Sequence, residues 1–305
     1  MKRKDLRKDF NVDITLEQLQ QAFTENGYIC DINVALTVYL ALKLEKPLLV
    51  EGPPGVGKTE LGRVLSHVFN TDLIRLQCYE GLDENKALYE WNYQKQLLKI
   101  QLGKQNGQGV TGESDLFSAE YLLARPLLKA IQSPRKVVLL IDEVDKSDDE
   151  FEAFLFEILS EFQVSIPEMG TVKARHIPMV VLTSNSEREL SDGLRRRCVY
   201  LYLDFPEMER EMEIIQARVP EAGKRLTAEI ARAVHELRQL PEINKKPSIA
   251  ETLDWTRALV SLNRDRLQGS TIEHTLNILL KSRADQRAFR EQYGAEKLAR
   301  QSVGK

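Results

Sequence analysis

One stretch constrains this chain more than any other: Gly52-Pro53-Pro54-Gly55-Val56-Gly57-Lys58-Thr59, followed by Glu60. It has the form G-x-x-x-x-G-K-[ST]. A short apolar run, Leu48–Glu51, precedes it, and the segment after it carries Leu61, Val64, Leu65 and Val68 on one helical face. Glycines in such a loop let backbone N–H groups turn inward around a phosphate. The helix that follows directs the positive end of its dipole to the same place. A lysine at this position reaches β- and γ-phosphates, and the hydroxyl next to it is placed to bind Mg²⁺. Gly52 through Glu60 are therefore the candidate nucleotide-binding residues, with Thr59 a candidate metal ligand. A chance glycine-rich turn would lack the strand before it and the amphipathic helix after it.

A second motif lies some 80 residues downstream, where Val137-Val138-Leu139-Leu140-Ile141 runs into Asp142-Glu143. An apolar strand ending in an acidic pair places carboxylates at the carboxyl edge of a sheet, where open α/β folds bind ligands. Asp142 is the candidate Mg²⁺ carboxylate. Glu143 is the candidate group that orients the attacking water. Two acids opening a helix would be an ordinary arrangement alone; paired with the glycine loop they point to nucleotide hydrolysis.

The rest of the pattern fits. Helical spacing marks residues 13–45, through Leu16, Leu19, Ala22 and Phe23 and then Val34, Val38 and Leu42. Strands are predicted at 48–51, 72–78, 136–142, 178–183 and 198–203, with an apolar-faced helix over 149–161. Strands alternating with helices imply a parallel sheet in a doubly wound α/β layer. Two stretches break the alternation. Residues 81–118 are polar and contain KQNGQGVTGES, which reads as an insertion with a mobile tip. Residues 162–177 alternate weakly around Met169-Gly170, as a β-hairpin or a plain loop. After Phe205-Pro206 the strands stop, so the expected division is an α/β core over 1–205 and an α-helical domain over 206–305.

Composition excludes several classes. The net charge is −3, which argues against wholesale wrapping of nucleic acid. Cys30, Cys78 and Cys198 are far apart, so neither a disulfide framework nor a zinc site is expected, and a reducing cytoplasm fits. The basic start MKRKDLRKDF leads into no apolar segment, and the longest apolar run falls far short of the ~20 residues a membrane span needs. A soluble protein is expected. His67, His176, His235 and His274 have no metal-ligand spacing. Tyr89, Trp91 and Tyr93 are best explained by helical packing, and Trp255 by packing in the C-terminal domain.

GPPGVGKT, LLIDEVDKSD, LTSNSERELSDGLRRRC and the helical tail, in this order, resemble the AAA+ ATPases. Within them the chain is similar to the MoxR branch: RPLLKAI before the acidic strand, FEAFLFEILSEF after it and the hairpin-like insert all match. The Arg-Arg-Cys and ETLDW stretches look like CoxD-like members. The resemblance implies ATP as nucleotide, with Mg²⁺. It implies that Asn185 is the sensor-1 residue, and that an arginine of Arg195-Arg196-Arg197 reaches a neighbouring subunit's ATP as a finger. Arg197 aligns best and Arg196 second. It also places residues 81–118 and 162–177 toward the pore of a hexameric ring, with Lys173 and Arg175 as candidate client contacts. The chain departs from the branch at Lys246-Pro247-Ser248-Ile249-Ala250-Glu251, where no sensor-2 arginine stands; Lys245, Lys246 or Arg257 could supply it.

The leading expectation is a ring-forming ATPase whose hydrolysis moves a helical lid to remodel or activate a protein or metalloenzyme client. A separate von Willebrand factor A domain protein would be its partner, and no membrane insertion is expected. A nucleic-acid-directed motor or a nuclease-associated NTPase is the second reading. A non-hydrolysing nucleotide switch is the third, and the full set Lys58, Thr59, Asp142 and Glu143 argues against it.

Overall fold

The computed structural model describes residues 14–105, 117–167 and 169–303. The basic start and the 106–116 part of the insert, with the tip expected to be mobile, lie outside these residues. Helices α1 (Leu16–Glu25) and α2 (Ile32–Leu44) precede β1 (Leu48–Glu51), α3 (Lys58–Val68) and β2 (Leu73–Gln77). Next come α4 (Glu84–Ala87), β3 (Tyr89–Trp91), α5 (Tyr93–Gln105), β4 (Leu122–Ala124) and α6 (Pro126–Ile131). Then follow β5 (Val138–Asp142), α7 (Asp149–Glu161), β6 (Gln163–Ile166), β7 (Gly170–Lys173), β8 (Met179–Ser184), α8 (Asp192–Arg197) and β9 (Val199–Tyr202). The remainder is helical: α9 (Met208–Arg218), α10 (Gly223–Gln239), α11 (Ile249–Ser261), α12 (Gly269–Leu279), α13 (Arg283–Gln292) and α14 (Ala295–Ser302).

The chain forms two compact units. One takes the described residues of Met1–Leu19, Asn33–Glu51 and Thr59–Tyr202; the other takes Gln20–Ile32, Gly52–Lys58 and those of Leu203–Lys305. The first unit holds a five-stranded sheet in the order β2-β5-β8-β1-β9, parallel throughout. The three inner strands are buried at every position; their apolar bodies end in buried polar residues at the carboxyl edge, Glu51, Asp142, Thr183 and Ser184. The edge strands β2 and β9 alternate with exposed residues such as Arg75, Tyr200 and Tyr202. Helix α3 lies close on the sheet: a Cβ at Gly62 would stand 3.1 Å from Leu140. Helix α7 starts where Asp148 accepts the Phe151 amide at 2.8 Å, and acids fill its first turn. Its Phe151, Leu155, Ile158 and Leu159 join Leu139, Ile141 and Leu182 in one core.

Both interruptions of the alternation are ordered where described. The described part of the 81–118 insert has secondary structure of its own. It carries α4, β3 and α5, and β3 pairs antiparallel with β4 through Tyr89↔Ala124 and Trp91↔Leu122. Trp91 and Tyr89 therefore sit on a strand, not a helix. The buried Trp91 ring meets Phe117 edge-on at 5.2 Å and Tyr89 at 6.0 Å. Polar neighbours hid this short ribbon in the sequence. The 163–173 stretch is a hairpin, β6 against β7, from Gln163↔Lys173 to Ile166↔Gly170.

The second unit has its own core, centred on Trp255, Leu226, Ile230, Leu259 and Leu276. The Trp255 indole is fully buried and donates to Thr275 Oγ1 at 2.8 Å. Helix α11 opens with a capping box between Ser248 and Glu251. No helix among the described residues is long and apolar enough to cross a membrane.

Candidate nucleotide site

The glycine loop is shaped by close approach. Gly55 has φ +75°, and a Cβ there would stand 2.2 Å from Ser248 Oγ; Gly52 has φ +151°, with Leu203 O 2.0 Å from the same construction. Side chains are excluded at both places. Lys58 is buried, and its ammonium donates to the carbonyls of Gly52 at 2.6 Å and Pro53 at 2.8 Å. The charge is thus held inside the curve of the loop. Thr59 follows directly, and Glu60 stands in the first turn of α3.

In the first unit, β8 lies between β1 and β5. That order brings Thr183 beside Asp142. Asp142 Oδ1 accepts from the hydroxyls of Thr59 at 2.8 Å and Thr183 at 2.6 Å. Thr183 Oγ1 in turn accepts the Glu143 amide at 2.9 Å. A hydroxyl and a carboxylate meeting at one point are hard oxygen donors, a set that suits Mg²⁺ bound partly through water. Among the described residues no cluster of three His, Cys, Asp or Glu competes for a metal. Glu143 is left-handed, at φ 57° and ψ 51°. That conformation is uncommon outside glycine and concentrates at functional sites. Its Oε2 accepts from Gln77 Nε2 and Lys146 Nζ, each at 2.8 Å. The bond to Glu143 raises the pKa of Lys146. Cys78 donates its amide to the Asp142 carbonyl at 2.8 Å; burial first, and then the charges of Asp142, Asp145 and Glu143, push its thiol up to about 12.

Asn185 follows the end of β8, half-buried, with its backbone N–H donating to Asp145 Oδ2 at 3.0 Å. The Glu187 amide donates to the same oxygen at 3.0 Å, so buried Asp145 shapes the turn that carries Asn185. The three arginines of α8 part company. Arg195 lies 3.9 Å from Glu51 and faces the Tyr200 ring. Arg197 donates to Ser160 Oγ at 2.6 Å with its guanidinium 3.4 Å from the centre of the Phe156 ring. Arg196 is 81% exposed and reaches Asp192 only at 3.8 Å. Of the sensor-2 candidates, Lys246 donates to the Leu240 carbonyl and Arg257 pairs with Asp254 at 3.1 Å.

Sequence reasoning missed four groups around the acidic pair: Arg75, Gln77, Thr183 and Lys146. Arg75 donates to Asp142 Oδ2 through Nε at 3.1 Å and through a terminal nitrogen at 2.5 Å. Its signal was the polar alternation of LIRLQ, which puts Arg75 and Gln77 on one face of β2.

Residues 47–198 match the AAA domain of the dynein-related subfamily. The gas vesicle ATPase GvpN of Haloferax mediterranei is 23% identical over 235 residues, covering 74% of this chain and 65% of that protein. GvpN1 of Halobacterium salinarum is 22% identical over 267 residues, covering 84% of this chain and 72% of its own length. The Holliday junction branch migration motor RuvB of Thermotoga maritima shares the fold, with a TM-score of 0.50 and 17% identity over 87% of this chain and 78% of RuvB. Residues 47–198 thus form an AAA domain, a P-loop domain that hydrolyses ATP.

Proposed function

We propose that this ATPase works as a ring of six copies, the size the AAA+ resemblance suggests, and uses Mg-ATP to remodel or activate a protein client. The observation that carries the reading is the meeting of Thr59, Thr183 and Asp142 on one carboxylate oxygen, with Glu143 next in the chain. Gly52 to Thr59 would wrap the phosphates, and Lys58 would meet the β- and γ-phosphates. Thr59 and Asp142 would hold Mg²⁺, which neutralises charge on the phosphates. Glu143 would orient the attacking water, with Asn185 beside the γ-phosphate. Arg196 and Arg197 are the finger candidates, and the exposure of Arg196 favours it as the one that reaches a neighbour.

The likeness of the sequence to the MoxR branch, and to CoxD-like members in particular, supports a metalloenzyme or other protein client. It also supports a cytoplasmic setting and a separate von Willebrand factor A domain partner. The fold likeness to RuvB extends to fold alone, so a nucleic-acid role gains nothing from it.

Mass photometry of the Glu143→Gln protein tests the ring. A nucleotide-dependent shift to a species near six subunits is expected with Mg-ATP. A persistent monomer would remove the ring and the trans-acting arginine with it.

A further inference from the structure

Asp142 is 1% exposed, and both of its oxygens are engaged. Oδ1 takes the neutral hydroxyls of Thr59 and Thr183. Oδ2 takes the Arg75 guanidinium. A buried carboxylate needs a compensating charge, and here the charge comes from an edge strand. Register explains the reach: Arg75 pairs with Leu140 and Gln77 with Asp142 across β2 and β5. Gln77 accepts from the same guanidinium nitrogen and so holds the group turned toward Asp142. Yet the Arg75 side chain is 43% exposed, against 2% for Asp142. The guanidinium can swing into water without opening the core.

We propose that Arg75 is a positioning residue that holds the metal-side carboxylate in place of a divalent cation and yields it when Mg²⁺ arrives with nucleotide. The inference rests on the reading of Asp142 as the Mg²⁺ carboxylate. Mg²⁺ beside Thr59 on Oδ1 and the guanidinium on Oδ2 would draw on the single charge of one carboxylate and repel each other, so Mg²⁺ must displace the arginine or share a weakened partner. The apparent Mg²⁺ affinity is then set against the Arg75–Asp142 pair. Removing that pair makes Mg²⁺ easier to bind.

The test is binding of a fluorescent ATP analogue to the full chain at rising Mg²⁺, compared among the natural protein, Arg75→Met and Arg75→Lys. Arg75→Met should reach half-maximal Mg²⁺-dependent binding at about fivefold lower Mg²⁺, the loss of one partly exposed ion pair. Arg75→Lys keeps the charge without the two-nitrogen grip and should fall between; it carries the test if the methionine variant does not fold. An Arg75→Met protein that needs as much Mg²⁺ as the natural protein, or more, would overturn the proposal and leave Arg75 a support for Asp142. A natural protein whose analogue binding ignores Mg²⁺ altogether would instead remove Asp142 from the metal, and the role of Arg75 with it.

Discussion

Each unit buries an acid against an arginine, and the two pairs are built differently. In the first, Asp142 is sealed but Arg75 is 43% exposed. In the second, Arg238 and Glu211 are 6% and 0% exposed. Both terminal nitrogens of Arg238 meet Glu211, at 2.7 Å and 2.8 Å, while its Nε donates to the Pro247 carbonyl at 2.8 Å. Thr252 adds a hydroxyl to Glu211 at 2.8 Å, and the Phe205 ring lies under the guanidinium at 4.7 Å. All three guanidinium nitrogens of the second pair are hydrogen-bonded, and both side chains are buried. The first pair leaves its cation an exit. The same chemistry thus serves a lock in one unit and a replaceable contact in the other.

Cutting the lock should have the largest effect on stability. Arg238→Ala strands Glu211 in a dry core and should cost about 3–5 kcal/mol. Chemical denaturation of the variant would read this directly, and a loss near that of an exposed ion pair would erase the contrast. Arg75→Met is the matched cut in the first unit. Because the arginine is nearly half exposed, solvent screening discounts its pair, and the stability change should stay under about 1 kcal/mol. A larger loss would make Arg75 a structural residue and sharpen the case against its exchange for metal.

Much of the candidate site follows from residue types alone. Gly52 to Thr59, Asp142 and Glu143 are legible because phosphate and metal chemistry demand those groups in that local order. The inner strands are legible because burial on both faces leaves their bodies apolar up to the polar residues at their carboxyl ends. What escaped depends on pairing across the sheet. Nothing near Arg75 in sequence points to Asp142; the register of β2 on β5 joins them. Thr183 reaches Asp142 only because β8 lies beside β5. The arginine triplet shows the same limit. Three identical residues in a row differ in surroundings, since α8 presents Arg197 to Phe156 and leaves Arg196 in water. The β3–β4 ribbon escaped because strands of three residues carry too little periodicity to stand out from polar neighbours.

In the proposed function the carboxylate of Glu143 serves hydrolysis and not nucleotide capture. The most direct measurement sets ATP turnover of Glu143→Gln beside its affinity for the fluorescent ATP analogue in Mg²⁺. The amide keeps the size of the side chain but cannot take a proton from water. The account predicts binding within about threefold of the natural protein and turnover reduced at least ~100-fold, the usual scale of a lost general base. Retained turnover, or binding lost together with turnover, would contradict it.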